Sequence, residues 1–173
     1  MDPPALGTDD ELRSLEAAVD IRASAEAVFD LIHDYPRRLE WDPFLQDARL
    51  LDGAAAAGLG VKARCTARRT FAGLAMETVY VSFDRPHVAA VKMTKGPPVL
   101  EAFAASLRQE EIGPSLTRVV YRFNFSTRPR WLRAIADPIA AALFRREVRG
   151  RLDALKRHLE RGQPGVTALR SPS

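Results

Sequence analysis

"LRSLEAAVDIRASAEAVFDLIHDYPRRLEWDPFL", residues 12–45, holds the transition that decides the fold. Leu15, Ala17, Val19 and Ile21 alternate with Glu16, Asp20 and Arg22, and a period of two marks a strand with one buried face. Ser24 then stands where a helix needs a side-chain acceptor for its unpaired first amides. Glu26 lies close behind, at the favourable end of the helix dipole. Val28, Leu31 and Ile32 supply the buried stripe of a short helix. Pro36 opens a second short turn, where its fixed φ and missing N–H cost little, and Pro43 closes it, leaving Trp41 and Phe44 at a corner.

Six further strand-like runs follow, at about 45–51, 61–71, 75–83, 87–94, 99–110 and 116–126. They are separated by "DG", "AGL", "DRP", "KGPP" and "IGPS", all turn formers. Connections this short imply antiparallel neighbours. Residues 130–160 read as one helix roughly 45 Å long. Its inward side is expected to carry Leu132, Ile135, Ile139 and Leu143, then Val148, Leu152, Leu155 and Leu159. A sheet with one apolar face must be covered, and this helix is the only large element available. The expectation is an α+β fold: a seven-stranded curved antiparallel sheet, two short helices after the first strand, and a long C-terminal helix packed over the sheet. Residues 12–161 form the domain, 1–11 a flexible leader and 162–173 a flexible tail.

Composition narrows the function classes. The 26 basic and 22 acidic side chains give a net charge of +4, but the cations are spread among acids and lack the aromatic interleaving of a single-strand groove. No nucleic-acid partner is expected. No apolar run reaches the roughly 18 residues of a membrane span, and the N-terminus lacks an apolar signal core, so a cytoplasmic location is the expectation. Cys65 is the single cysteine, and His33, His87 and His158 lie far apart, so neither a disulfide nor a metal site is expected, and no cofactor.

Side-chain parity nominates the inward residues. A turn centred on Gly73 sets Ala67 against Val79, Cys65 against Val81 and Arg69 against Glu77, both charges inward. A turn centred on Gly113 sets Phe103 against Phe123, Ala105 against Tyr121 and Leu107 against Val119, with Glu101 at one end of the inward set. The candidate ligand-binding residues are therefore Arg69, Glu77, Glu101 and Tyr121 as polar anchors, walled by Met93, Phe103, Phe123, Ile139 and Leu143. Against this stands the reading of Arg69 and Glu77 as a wet cross-strand ion pair, and of the aromatics as plain core. Ala140, Ala141 and Ala142 leave room beside the helix, or let it approach closely. Pro138 either kinks the helix or marks its regular start, and both readings make its first turns a movable lid.

The stretches "VDIRASAEAVFDLIHDYPRRLEWDPFL" (19–45), "GLGVKARC" (58–65), "SFDRPHVAAVKM" (82–93), "LTRVVYRFNF" (116–125) and "LDALKRHLE" (152–160) together resemble the START/SRPBCC superfamily, the helix-grip fold. The polyketide cyclase/dehydrase branch is the nearest resemblance. The resemblance implies a ligand-binding domain in which an incomplete barrel grips the C-terminal helix around a hydrophobic cavity. It further implies a lipid, quinone or polyketide-like ligand. The preferred reading is binding of such a hydrophobic or amphipathic molecule. The alternative is a polyketide cyclase, aromatase or dehydratase acting on a carbonyl-bearing chain, with Glu77 or Glu101 as base and Arg69 polarising the carbonyl. A membrane-facing terminal helix, with Arg145, Arg146, Arg149 and Arg151 flanking its apolar stripe, is the less favoured reading, because charge on the outside of a core-covering helix explains those residues as well.

Overall fold

Ser24 does what its position requires: its backbone is extended, its hydroxyl accepts from the Ala27 amide at 3.3 Å, and helix α1, Ala25–His33, starts behind it. The computed structural model describes residues 14–161, so the leader expected at 1–11 and the tail expected at 162–173 lie outside the described residues. Strand β1, Leu15–Ile21, precedes α1. After α1 a 3-10 turn, Tyr35–Arg37, with Pro36 in its first turn, leads into the single-turn helix α2, Arg38–Trp41.

The remaining strands are β2 (Leu45–Leu50), β3 (Lys62–Ala67), β4 (Ala75–Asp84), β5 (Val88–Lys95), β6 (Leu100–Gly113) and β7 (Leu116–Thr127). They form one curved antiparallel sheet in the order β1-β7-β6-β5-β4-β3-β2, as the short connections imply. Helix α3, Arg133–Arg161, packs on it after a 3-10 turn at Arg130–Leu132. The main core joins α1, α3 and the β1–β7 side of the sheet through Ile21, Val28, Ile32, Val119, Phe123 and Leu155. Each such side chain contributes roughly 1.5–3 kcal/mol by leaving water. A second cluster under α1 holds Phe29, Tyr35, Ala63, Tyr80 and Ala89.

Three expectations are corrected. Val79 pairs with Lys62 rather than Ala67, and Glu77 pairs with Arg64 rather than Arg69. The cause is the connection. Strand β3 stops at Ala67, residues Arg69–Phe71 coil into a 3-10 turn, and Ala72 and Gly73 adopt left-handed backbone at φ 57° and 59°. An odd displacement exchanges the two faces, so Met76 and Tyr80 point into the core while Val81 is exposed. Phe83 returns to the core after the bulge between Tyr80 and Ser82.

In the last hairpin Phe103 faces Phe125, Ala105 faces Phe123 and Leu107 faces Tyr121. The tight turn is Pro114–Ser115, with Ser115 at φ 52°, rather than one centred on Gly113. This displacement is even, so every inward residue stays inward.

The helix phase is the third correction. Ile135, Ile139 and Leu143 are 66%, 58% and 59% exposed, whereas Ala141, Val148, Leu152 and Leu155 are buried and Phe144 packs against the core. At about 100° per residue, the five-residue step from Leu143 to Val148 turns the stripe by about 140°. The two apolar runs taken as one face therefore lie on different faces. Pro138 sits inside α3 without ending it. The C-terminal half of the helix is also pinned to β1, because Lys156 Nζ donates to the Asp20 carbonyl at 2.7 Å and the Arg22 amide donates to Glu160 Oε1 at 3.0 Å.

Candidate functional site

One turn of α2 puts Arg38 and Asp42 four residues apart on the same side, and α3 brings Arg151 across to meet them. The Asp42 carboxylate is fully buried. Its Oδ2 accepts from Arg38 Nε at 3.2 Å and from Arg151 Nε and Nη2 at 3.1 and 2.8 Å, and its Oδ1 accepts from the Phe44 amide at 3.2 Å. Arg38 Nη1 also donates to the Ile32 carbonyl. The two guanidinium groups lie over aromatic rings, Arg38 4.7 Å from the Trp41 centroid and Arg151 5.4 Å from that of Phe44. Pro43 and the corner it makes are thus the mounting of a buried Arg–Asp–Arg cluster.

Burial opposes ionisation of Asp42, yet the charges of Arg151 and Arg38 outweigh it and hold the carboxyl below the usual range. Burial likewise works against the charge on Arg151, and Asp42 more than offsets it. Asp42 and Arg151 therefore hold each other ionised. Above them lies a cavity of about 20 Å³, the size of one water, lined by Ile32, Trp41, Leu107, Tyr121, Val148 and Leu152 together with both arginines. Burial raises the Tyr121 phenol, which therefore remains a neutral donor. Trp41 Nε1–H is buried with no acceptor among the described residues, a donor that native interiors seldom leave unmatched.

A second polar cluster lies under α1. Tyr35 and Tyr80 share a hydroxyl–hydroxyl bond of 3.1 Å, and burial raises both phenols. His33 Nδ1 is 2.7 Å from the Phe29 carbonyl, so that nitrogen carries the proton, and the ring packs on Phe29, Tyr80 and Phe83. Burial brings its pKa down to about 4. Since the unfolded imidazole titrates near 6.5, the unfolded chain binds more protons between about pH 6.5 and 4, and stability falls as pH falls through that window. Between pH 7 and 5 the expected loss from His33 is about 2 kcal/mol. Urea denaturation of the native chain and of His33→Phe at both pH values checks this; equal losses in the two would contradict it.

The structure separates the residues nominated from sequence. Met93, Phe103, Tyr121 and Phe123 face the core with Phe144, and Tyr121 lines the cavity. Arg69 sits in the exposed turn after β3, because the strand ends before it. Glu77 lies on the outer face, 3.4 Å from Arg64 Nη1. Glu101 is bound by Arg133 and, at 3.2 Å, by Arg130, latching the start of α3 to β6. The Arg130 hydrogen bond holds its carboxyl below the ordinary range. Ile139 and Leu143 point away from the sheet. Neither Glu77 nor Glu101 lines the cavity, so a base role for either loses its geometric ground.

Arg38 and Asp42 escaped the sequence reading, and Arg151, expected there among the outer charges of the helix, instead turns inward to Asp42. Arg151 carried a signal: it stands three residues after Val148 and four before Leu155, in phase with the buried stripe.

Comparison with known proteins agrees with this architecture. Among solved structures, a START superfamily protein from Mycobacterium smegmatis aligns with a TM-score of 0.73 at 13% identity, covering 87% of this chain and 99% of that one. The Zhui aromatase/cyclase from a Streptomyces species aligns with a TM-score of 0.73 at 18% identity, covering 87% and 95%. A major latex-like protein from Panax ginseng gives 0.63 at 12%, covering 84% and 96%. At such identities the likeness is one of fold. No curated protein matches the sequence. The family model described as polyketide cyclase / dehydrase and lipid transport matches residues 13–160. A seven-stranded sheet gripping a C-terminal helix, matched along nearly its whole described length by that model, makes this chain a member of the polyketide cyclase/dehydrase and lipid transport family.

Proposed function

We propose that this protein binds an amphipathic small molecule between the sheet and α3, its apolar body against Phe103, Phe123, Leu107 and Met93 and its acceptor-bearing end at the Arg38–Asp42–Arg151 cluster. The observation that carries the reading is the buried Trp41 Nε1–H beside the buried Arg38 and the half-buried Arg151, at the base of an otherwise apolar interior. Every polar group there is a donor or is already satisfied, which favours a carbonyl, carboxylate or phenolate over a ligand amine. A space of about 20 Å³ must widen to admit such a molecule. The first half of α3 is the part suited to move. Its largest core contact is Phe144, and its start is latched to Glu101 by the half-buried Arg133 and by the well-exposed Arg130, the latter an ion pair of the kind worth little in water.

Likeness to an aromatase/cyclase keeps a catalytic reading in view, with Tyr121 and Arg151 as the groups that would polarise a carbonyl. A proton-abstracting carboxylate is not among the cavity's lining, and Asp42, engaged by two arginines, serves to orient them.

Native mass spectrometry of the freshly purified chain, with organic extraction, is expected to release an apolar compound bearing a carbonyl or acidic group. Calorimetric titration with menadione and with decanoate is expected to show binding that weakens at least tenfold in Arg151→Met, the loss of a charge-assisted hydrogen bond. No released compound and no binding of either probe would overturn the proposal.

A further inference from the structure

We infer that the end of the sheet where α3 begins docks on an anionic phospholipid surface, with the outer face of the first half of α3 lying in the interface. The docking stands independently of the cavity and its ligand. Trp131, 80% exposed, is followed by Ile135, Ile139 and Leu143 at steps of four, which aligns them along one side of the helix, away from Ala141 and Phe144. A single exposed apolar side chain needs no explanation, but four in a row form a stripe that does.

The surrounding charge is of one sign. Every exposed residue from Arg128 to Gly150 is apolar, glycine or arginine. Of the two acids in that span, Asp137 accepts a hydrogen bond from Thr127 at 2.6 Å and Glu147 is half-buried. Antiparallel order brings the β3–β4 and β5–β6 connections to the same end, with exposed Leu74, Val99, Arg68 and Lys95. The Arg128 amide donates to the Val99 carbonyl at 2.9 Å, joining that end to the start of α3.

A symmetric contact with a second copy would set this arginine-flanked stripe against itself, with no exposed acid between Arg128 and Gly150 to neutralise it. A nucleic acid would use the arginines and leave the apolar stripe wet. An anionic membrane surface meets both, and a tryptophan at the stripe's end suits the headgroup boundary. No helix among the described residues is long and apolar enough to cross a membrane, so the contact lies on the surface.

The test uses the full chain with phosphatidylcholine vesicles, with and without about one-third phosphatidylglycerol. Co-sedimentation is expected only with the anionic vesicles, falling sharply at high salt. A blue shift of tryptophan emission should accompany it and be lost in Trp131→Phe. Arg145→Glu/Arg146→Glu and Ile135→Ser/Ile139→Ser should each lower binding at least tenfold with melting temperatures near that of the native chain, since all four side chains are exposed. The proposal is overturned by equal sedimentation with both vesicle types or with neither. It is also overturned by binding that ignores these substitutions, or by a vesicle-free dimer that Ile139→Ser dissolves.

Discussion

Asp42→Asn is expected to destabilise the fold by about 3–5 kcal/mol, because it removes the fully buried carboxylate that the Arg38 and Arg151 guanidinium groups share. Asparagine keeps the shape and one acceptor oxygen, so the loss reports charge rather than packing. The triple variant Arg38→Met/Asp42→Leu/Arg151→Met removes all three charges together and should lie within about 2 kcal/mol of the native chain, since no charge is left unpaired and only the Ile32 carbonyl and the Phe44 amide lose a side-chain partner. It should nonetheless fail to bind menadione or decanoate. That combination separates a cluster kept for recognition from one kept for stability. Urea denaturation at neutral pH measures both variants, and a cost below about 1 kcal/mol for Asp42→Asn would refute the strong coupling claimed here.

The pH dependence of the cluster has its own sign. Asp42 has a folded pKa held below the unfolded value of about 3.9, so its contribution is complete above that value and is lost as pH falls through the folded one. The His33 contribution fades earlier, between about pH 6.5 and 4. The two losses therefore occupy different windows.

Phe144→Ala is expected to have the second largest effect, and an uneven one. The Phe144 ring lies 4.9, 5.9 and 6.1 Å from those of Phe125, Phe123 and Phe103, and among residues 133–147 it is the one large apolar side chain packed on the core. Truncating it removes about 3 kcal/mol of packing. Amide exchange over residues 133–147 should then quicken about a hundredfold, since local opening sets the exchange rate there. Residues 148–161 should change far less, held by Val148, Leu152 and Leu155 and by the Lys156 and Glu160 bonds to β1 and the residue after it. Equal acceleration along the whole helix would contradict the picture of a movable first half on a fixed second half.

What the sequence disclosed and what it withheld follow from the range of the physics involved. The Ser24 cap, the Pro36 turn and the alternation in β1 and β7 depend on near neighbours, and the sheet, its seven strands and the covering helix were legible from them. Register was not, because it turns on a few backbone angles. Left-handed Ala72 and Gly73 lengthen one connection and reverse a face, whereas the Pro114–Ser115 turn displaces its hairpin evenly and harmlessly. Helix phase failed where two apolar stripes lie on different faces of α3, and the one with the larger side chains at its start faces outward. The site was half legible. Tyr121, Phe103, Phe123 and Met93 followed from parity, but the charges moved from the hairpin to the Trp41–Asp42–Pro43 corner, since only the packing of α3 brings Arg151 beside Asp42.

The two tryptophans offer the most direct measurement of the central claim that the buried donor cluster meets the ligand. Trp41 and Trp131 are the only indoles in the chain, one buried against the arginines and one exposed at the start of α3. A ¹⁵N-resolved spectrum of the indole N–H signals, titrated with menadione, should move the Trp41 resonance downfield as its N–H gains an acceptor, and leave Trp131 nearly still. A Trp41 resonance that stays in place while menadione saturates the protein would place the ligand elsewhere and contradict the account.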